Sequence, residues 1–266
     1  MKDGRFLPTA EIHLMYCNGE PVLVNGQHTC AAIIKYGKPV RVTVRKSNTS
    51  EHGQIAMFYA FGHDTGLRRT FTDGLGAYNL DEQTGLMREE VEWLATAIRH
   101  IRLGFRADFS GVKFKLLKPS VAEVVERVVE WAPYARNFWT TVNGSDKKLR
   151  SLTNKRGSLS VVVVTVRYQP ERALDFWRQV FAPDNLPWDH PAVVTRRTIE
   201  ASRGAPGTSS VTPQRLSRQV ARCWRAYWNG ENMKQLPKVD DESSPIYIVG
   251  TPFTGRHPEP PWFPED

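Results

Sequence analysis

The sequence predicts an α+β protein in which a small β-β-α-β module is followed by a mainly α-helical domain. Residues 7 to 46 alternate short apolar stretches with turn residues, the rhythm of strands. From about Met87 the period changes, and Val91, Leu94, Ile98 and Ile101 recur at helical spacing. After Pro237 prolines become frequent. These shifts place a first module at 1–85, a helical domain at 86–236 and a Pro-rich tail at 237–266.

The elements follow in order. Glu11 to Cys17 and Pro21 to Asn25 read as strands about the Asn18-Gly19 turn. Thr29 to Tyr36 reads as a helix closed by Gly37, and Pro39 to Arg45 as a strand alternating Val40, Val42 and Val44. Ser120 and Glu123 form a capping box ahead of a helix over Ser120 to Trp131, which Pro133 ends or bends. Further helices are expected at Glu171 to Phe181, Pro191 to Ser202 and Pro213 to Trp228, the last with Thr212 as cap and Pro213 in its first position. Ser158 to Tyr168 is ambiguous. The run Val161 to Val164 favours a strand on propensity, whereas its helical neighbours favour a buried helix, and the reading leans to helix. Arg203 to Val211 is expected to be an exposed loop. The tail down to Pro264-Glu265-Asp266 is expected to be extended or disordered, apart from a short strand at Ile246 to Val249.

With 266 residues, 40% of them hydrophobic, the chain can bury a core and is not a disordered polymer. Its net charge of +8 favours an anionic partner, nucleic acid ahead of a membrane surface. No apolar run approaches the roughly 20 residues that cross a bilayer, and Met1 to Pro8 lacks the apolar core of a secretion signal. The expected location is therefore the cytoplasm, with no membrane partner. Cys17, Cys30 and Cys223 are odd in number and include no Cys-x-x-Cys pair, so they read as reduced thiols. The histidines His13, His28, His52 and His63 show no metal-ligand spacing.

One segment points to chemistry. Val22 to Ile34 sets a buried strand, a glycine turn and a helix start in immediate succession. Free N–H groups at a helix N-terminus attract phosphate, and Gly26 lets a ligand approach the backbone closely. Gln27 and His28 would turn polar groups to the same spot. A glycine between strand and helix also serves turns that bind nothing, so both readings stand on spacing alone.

Asn25, Gly26, Gln27, His28, Thr29, Ala32, Gly37 and Val40 resemble the ParB/sulfiredoxin superfamily, specifically the ParB-like proteins of phages and plasmids. The resemblance covers roughly residues 7 to 80. It continues in His63-Asp64-Thr65-Gly66-Leu67-Arg68-Arg69-Thr70, similar to a second family segment in which a short turn precedes basic residues. Phe176-Trp177 and Trp224 to Gly230 resemble the helical half of the phage proteins more weakly. Members bind or hydrolyse CTP or ATP, phosphorylate a small substrate or a sulfinate, have been described as nucleases, or load onto DNA as partition proteins. The resemblance thus implies nucleotide binding more strongly than any one reaction. It also implies a bacterial host cell and a phage or mobile-element origin, with a homodimer left open.

The resemblance assigns the nucleotide to Asn25, Gly26, Gln27, His28 and Thr29, with Arg68 and Arg69 folding against the turn to supply charge. Asp64 would hold Mg²⁺ against phosphate oxygens or cap its own turn. Glu11, on the preceding strand, is a candidate general base or a plain strand residue. Two departures bear on mechanism. Thr29 stands where many relatives carry a phosphate-clamping arginine, and Asn25 stands where the phosphorylating relatives carry an acid, so it cannot act as a base.

A second candidate lies in the helical half. Arg215, Arg218, Arg222 and Arg225 fall at steps of three and four on one face of Pro213 to Trp228, with no acid among them. Beside Trp224 and Trp228, that stripe reads as a DNA contact, with indole stacking on single strands. An ordinary solvated face is the alternative. Lys147, Lys148, Arg150, Lys155 and Arg156 form another basic cluster of the same ambiguity. The leading expectation is a ParB-like protein that binds a nucleoside triphosphate (CTP or ATP, with Mg²⁺) and associates with DNA, hydrolysis left open. The alternatives are a catalytically silent DNA- or protein-binding module, a metal-dependent nuclease, or a small-molecule phosphotransferase.

Overall fold

The structure, a computed structural model, describes residues 11–50, 55, 75, 78–105, 121–203, 211–239 and 245–255. The chain divides into two compact units, Met1–Asn79 and Leu80–Asp266. Three strands and the helix Gln27–Tyr36 lie in the described part of the first, and helices dominate the second.

In the first unit β1 (Glu11–Cys17) and β2 (Glu20–Asn25) form an antiparallel hairpin. Asn18 and Gly19 take φ of 52° and 88°, the left-handed pair that a tight hairpin turn requires, and this is why the chain reverses here. The register slips between His13 and Leu14, which pair with Asn25 and Leu23, so Val24 is the extra residue of a bulge. Helix α1 (Gln27–Tyr36) carries the chain across to β3 (Thr43–Thr49), which lies parallel to β1 in a sheet of order β2-β1-β3. Met15, Cys17, Val24 and Ile55 form the core, with Val22 packed against it.

Two elements of this unit are displaced from expectation by two residues or more. Helix α1 starts at Gln27 because Gly26, at φ 99°, already closes the strand and serves as its N-cap. Strand β3 starts four residues beyond Pro39, since its register is set by the seven residues of β1 that it pairs, from Glu11 opposite Thr43 to Cys17 opposite Thr49. Gly37 ends α1 at φ 70°, its N–H donating to the Ile33 carbonyl.

The second unit holds α2 (Leu80–Thr84), α3 (Arg88–Arg102), α4 (Val121–Thr141), α5 (Lys147–Thr153), α6 (Arg156–Tyr168), α7 (Pro170–Phe181), α8 (Pro191–Ala201) and α9 (Pro213–Asn229). Helix α6 is its axis. Residues 157 to 166 are all buried, enclosed by α3, α4, α7 and α9, so the valine run is a helix packed on every side. Tertiary burial overrides the strand propensity of valine here.

Helix α4 runs through Pro133 without ending. Its buried positions Val121, Val124, Val125, Val128, Trp131, Ala132, Ala135, Phe138 and Trp139 keep one face in the core on both sides of the proline. Each large side chain so buried contributes about 1.5–3 kcal/mol, which outweighs the roughly 3 kcal/mol cost of an interior proline. Pro133 and Val129, the residue whose carbonyl loses its partner, are both exposed, so water can reach the freed group. Ser120, the expected cap, lies outside the described residues. So do positions 204–210 of the expected loop and the tail from 256 on.

The expected short strand at Ile246 to Val249 is found as a single bridge, and the described residues around it are packed rather than extended. Ile246, Ile248 and Phe253 are buried, and a bridge joins Tyr247 to Thr254, with Ile248 N–H donating to the Phe253 carbonyl and Gly255 N–H to the Ile246 carbonyl. The segment docks on α9: Gln219 donates to the Pro237 carbonyl and Arg222 to that of Lys238, while Trp224 Nε1 donates to the Val249 carbonyl at 2.9 Å. Alternating apolar residues gave this hairpin a buried face despite its prolines.

Candidate functional site

The corner at Gly26 is built by close backbone approach. A Cβ on Gly26 would lie 3.0 Å from Ile12 Cγ1, 3.1 Å from Ile12 Cα and 3.3 Å from the Glu11 carbonyl oxygen, so a side chain would press on β1. The left-handed φ excludes most residues as well. Helix α1 then begins, its first intrahelical bond running from Cys30 N–H to the Gly26 carbonyl at 2.8 Å. No side chain caps this N-terminus. The amides of Gln27, His28 and Thr29 precede the first turn and have no intrahelical acceptor, with the helix dipole behind them.

Around the corner, His28 is exposed and Asn25 and Thr29 are half-buried. Asn25 pairs with His13 across the hairpin. Glu11 starts β1 and brings its backbone against Gly26, as the glycine contact shows. The carboxamide of Gln27 turns back to donate to the Leu23 carbonyl at 3.3 Å, so its N–H₂ holds the turn instead of reaching outward. Asp64, Arg68 and Arg69 lie outside the described residues, as does the whole segment His63 to Thr70. Among the described residues no group of three His, Cys, Asp or Glu side chains comes together to hold a metal.

The arginine stripe of α9 is corrected at Arg218. That residue is buried, with Nη1 donating to the Phe105 carbonyl at 2.9 Å and the Gln214 carbonyl at 3.2 Å. Arg215, Arg222 and Arg225 are exposed, but two of them meet the docked hairpin: Arg222 through Lys238, and Arg225 with its guanidinium 6.0 Å from the Tyr247 ring. The expected indole platform is corrected too. Trp224 is fully buried, and Arg172 sits over the Trp228 ring at 4.2 Å while donating to the Trp228 carbonyl at 2.6 Å.

A cleft of about 600 Å³ in the helical unit escaped the sequence reading. Its aromatic residues are Trp93 on α3 and Trp139 on α4, with ring centroids 6.3 Å apart and planes at 58°. Trp139 Nε1 donates to Asn154 Oδ1 at 2.9 Å, fixing that ring. Arg136 of α4 and Lys147 and Arg150 of α5 also line the cleft, as do Glu89 and Glu90 in the first turn of α3. Lys147 and Arg150 are legible in the sequence as part of a basic cluster, but nothing in their spacing links them to tryptophans brought in by two other helices.

No helix among the described residues is long and apolar enough to cross a membrane. In comparisons with known proteins, no family model, no curated protein and no solved structure matches this chain.

Proposed function

We propose that the chain binds a nucleoside triphosphate, CTP or ATP with Mg²⁺, at the corner where Gly26 opens α1, and that its helical unit associates with DNA. The observation that carries the reading is the uncapped α1 N-terminus, preceded by a glycine whose Cβ position is closed by Ile12. Amides of residues 27 to 29 supply directed donors, and the helix dipole supplies a field that favours an anion. Mg²⁺ would be shared between phosphate oxygens and Asp64, a carboxylate suited to a hard cation. The DNA contact rests on Arg215, Arg222 and Arg225, and no longer on Arg218. Glu11 supplies a carboxylate on the strand beside the turn, whereas Asn25 supplies no base, so the proposal stops at binding.

The test is calorimetric titration of CTP, ATP and GTP with Mg²⁺ into the wild-type chain and Thr29→Glu. Glutamate at the third helical position favours the helix start while placing a negative charge where phosphate would sit. Expected are micromolar binding by the wild type and a loss of about tenfold or more in the variant, roughly 1.4 kcal/mol, with no fall in melting temperature. Absence of binding below millimolar concentration, or equal affinity in both chains, would overturn the reading.

A second reading, a catalytically silent module, is favoured by the Gln27 bond to Leu23, which makes the turn self-supporting. It predicts no metal-dependent release of phosphate from any nucleotide.

A further inference from the structure

We infer that the cleft between α3, α4 and α5 binds a nucleotide unit, its base against the indoles of Trp93 and Trp139 and its phosphate at Arg136, Lys147 and Arg150. The inference rests on the helical unit alone and is independent of the Gly26 corner.

Three features select this chemistry. The first is the indole pair. Held 6.3 Å apart at 58°, the rings do not stack on one another; Trp139 is locked by Asn154, and Trp93 is only half-buried. A planar base is the ligand group that covers such rings with most contact and least ordering cost.

The second is unspent positive charge. Arg88, Arg102, Arg127, Arg167 and Arg196 on this unit all meet carboxylates. Among the described residues Arg136, Lys147 and Arg150 form no ion pair. Asp146, the acid nearest Lys147 and Arg150 in sequence, accepts from the Lys148 and Leu149 amides as the cap of α5 and faces Arg196 at 3.8 Å. Two guanidinium forks and an ammonium around one space match the several oxygens of a phosphate.

The third is acceptor polarity in the same cleft. Glu89 and Glu90 also line it, Glu90 with one oxygen accepting from the Met87 amide. Such acceptors suit the hydroxyl and amino groups of a nucleoside and disfavour a bare polyphosphate. At about 600 Å³ the cleft is in the range of small-ligand sites and far too small for a duplex. Its base must therefore arrive unstacked, on a free nucleotide or within a single strand. Exposed Lys148 and Lys155, next in sequence to the lining residues Lys147 and Asn154, would meet a strand's neighbouring phosphates.

The full-length chain is titrated at low salt with AMP and CMP by calorimetry, and with fluorescein-labelled dT12 by anisotropy. The proteins are the wild type, Arg136→Glu/Lys147→Glu, Trp93→Ala and Thr29→Glu. Arg136 and Lys147 are exposed, so charge reversal leaves the fold intact, to be checked by circular dichroism. At least one ligand form is expected to bind. Charge reversal should weaken it about tenfold or more, and Trp93→Ala roughly fivefold or more. In Thr29→Glu, whose Gly26 corner is disabled, the binding component that charge reversal removes should persist, which separates this site from the Gly26 corner. Competition by mononucleotide against dT12 identifies the free nucleotide as the source; dT12 binding without competition identifies the strand. The inference fails if neither form binds below millimolar concentration. It fails also if a folded charge-reversed chain binds as the wild type does, or if only Thr29→Glu abolishes binding.

Discussion

Gly157 of α6 lies against Pro213 at the start of α9 so closely that a Cβ there would stand 2.5 Å from the Pro213 carbonyl oxygen and 2.9 Å from its Cα. Ser217 Oγ lies at the same crossing, 3.0 Å from the Gly157 carbonyl oxygen and 2.7 Å from that of Pro213. The absence of a side chain at 157 is what lets the central helix meet α9. Gly157→Ala should therefore destabilise the helical unit. The gain in helix propensity is about 1 kcal/mol at most, whereas a collision with backbone cannot be relieved by a rotamer change and costs about 1–3 kcal/mol or more. Urea unfolding followed by circular dichroism should show a lower midpoint; an unchanged or raised one would mean the helices separate freely.

At this junction His100 of α3 is buried, its Nε2 lying 2.9 Å from Ser217 Oγ. Burial, followed by the positive charges of Arg156 and Arg218, holds its pKa down to about 3 against the opposing Pro213 carbonyl. Its Nδ1 has no hydrogen-bond partner among the described residues, so an added proton would meet no acceptor. A histidine with a depressed folded pKa leaves the folded chain with fewer bound protons than the unfolded one below about pH 6.5. Its contribution is thus complete above pH 6.5 and is lost as the pH falls toward 3, by about 1.4 kcal/mol per pH unit at the steepest. His190, lowered chiefly by burial, acts in the same direction. Unfolding free energies measured between pH 7 and 5, above the range where carboxylates titrate, should fall more steeply for the wild type than for His100→Gln. Parallel curves would remove His100 as the cause.

Arg218 and Arg222 stand four residues apart on α9, yet they should behave oppositely. Arg218→Ala leaves the Phe105 carbonyl without its guanidinium donor inside a closed junction and removes the second donor to the Gln214 carbonyl, a loss of about 2–4 kcal/mol. Arg222→Ala removes an exposed side chain and should change stability by less than about 1 kcal/mol. If the outer face of α9 meets DNA, Arg222→Ala lowers the slope of log affinity against log salt by about one, while Arg218→Ala acts through folding alone. Melting temperatures and salt titrations of the two variants separate these outcomes.

The contrast between these arginines shows where sequence reasoning stops. Local signals worked where the deciding physics was local: Asn18-Gly19 turned the hairpin, Gly37 closed α1, and Thr212 with Pro213 opened α9, its hydroxyl accepting from the Arg215 amide. The periodicity of α9 grouped Arg215, Arg222 and Arg225 on an exposed face, but it could not separate from them Arg218, which is buried. It could not show that residues 237 to 239 and 245 to 249 fold back over part of that face, because the partners are joined by tertiary contacts. At Pro133 the local cost allowed an end or a bend, and only the compensation distributed along a buried face decided that the helix continues. At the Gly26 corner the glycine was legible, but the return of Gln27 to Leu23 was not, since a carboxamide can bond outward or inward from the same position. The cleft was hidden most completely, its tryptophans and cations arriving on three separate helices.

The cysteines give a direct reading of both units. Cys223 is wholly buried on α9; burial pushes its thiol up to about 12, outweighing the hydrogen bonds with Thr195 and Thr198 that act the other way. Cys17 is buried in the core of the first unit, and Cys30 on α1 is half-buried. The thiolate is the species that reacts, and access limits it further. An aromatic disulfide reagent at pH 8 should therefore titrate about one thiol rapidly in the folded chain, abolished by Cys30→Ser. The remaining two should appear only with unfolding, Cys17 with the first unit and Cys223 with the helical one. If the two units melt separately in urea, Cys17→Ser and Cys223→Ser variants will assign each step. Rapid labelling of Cys223 in the native chain would mean that the contact of α9 with α8 opens far more readily than its packing implies.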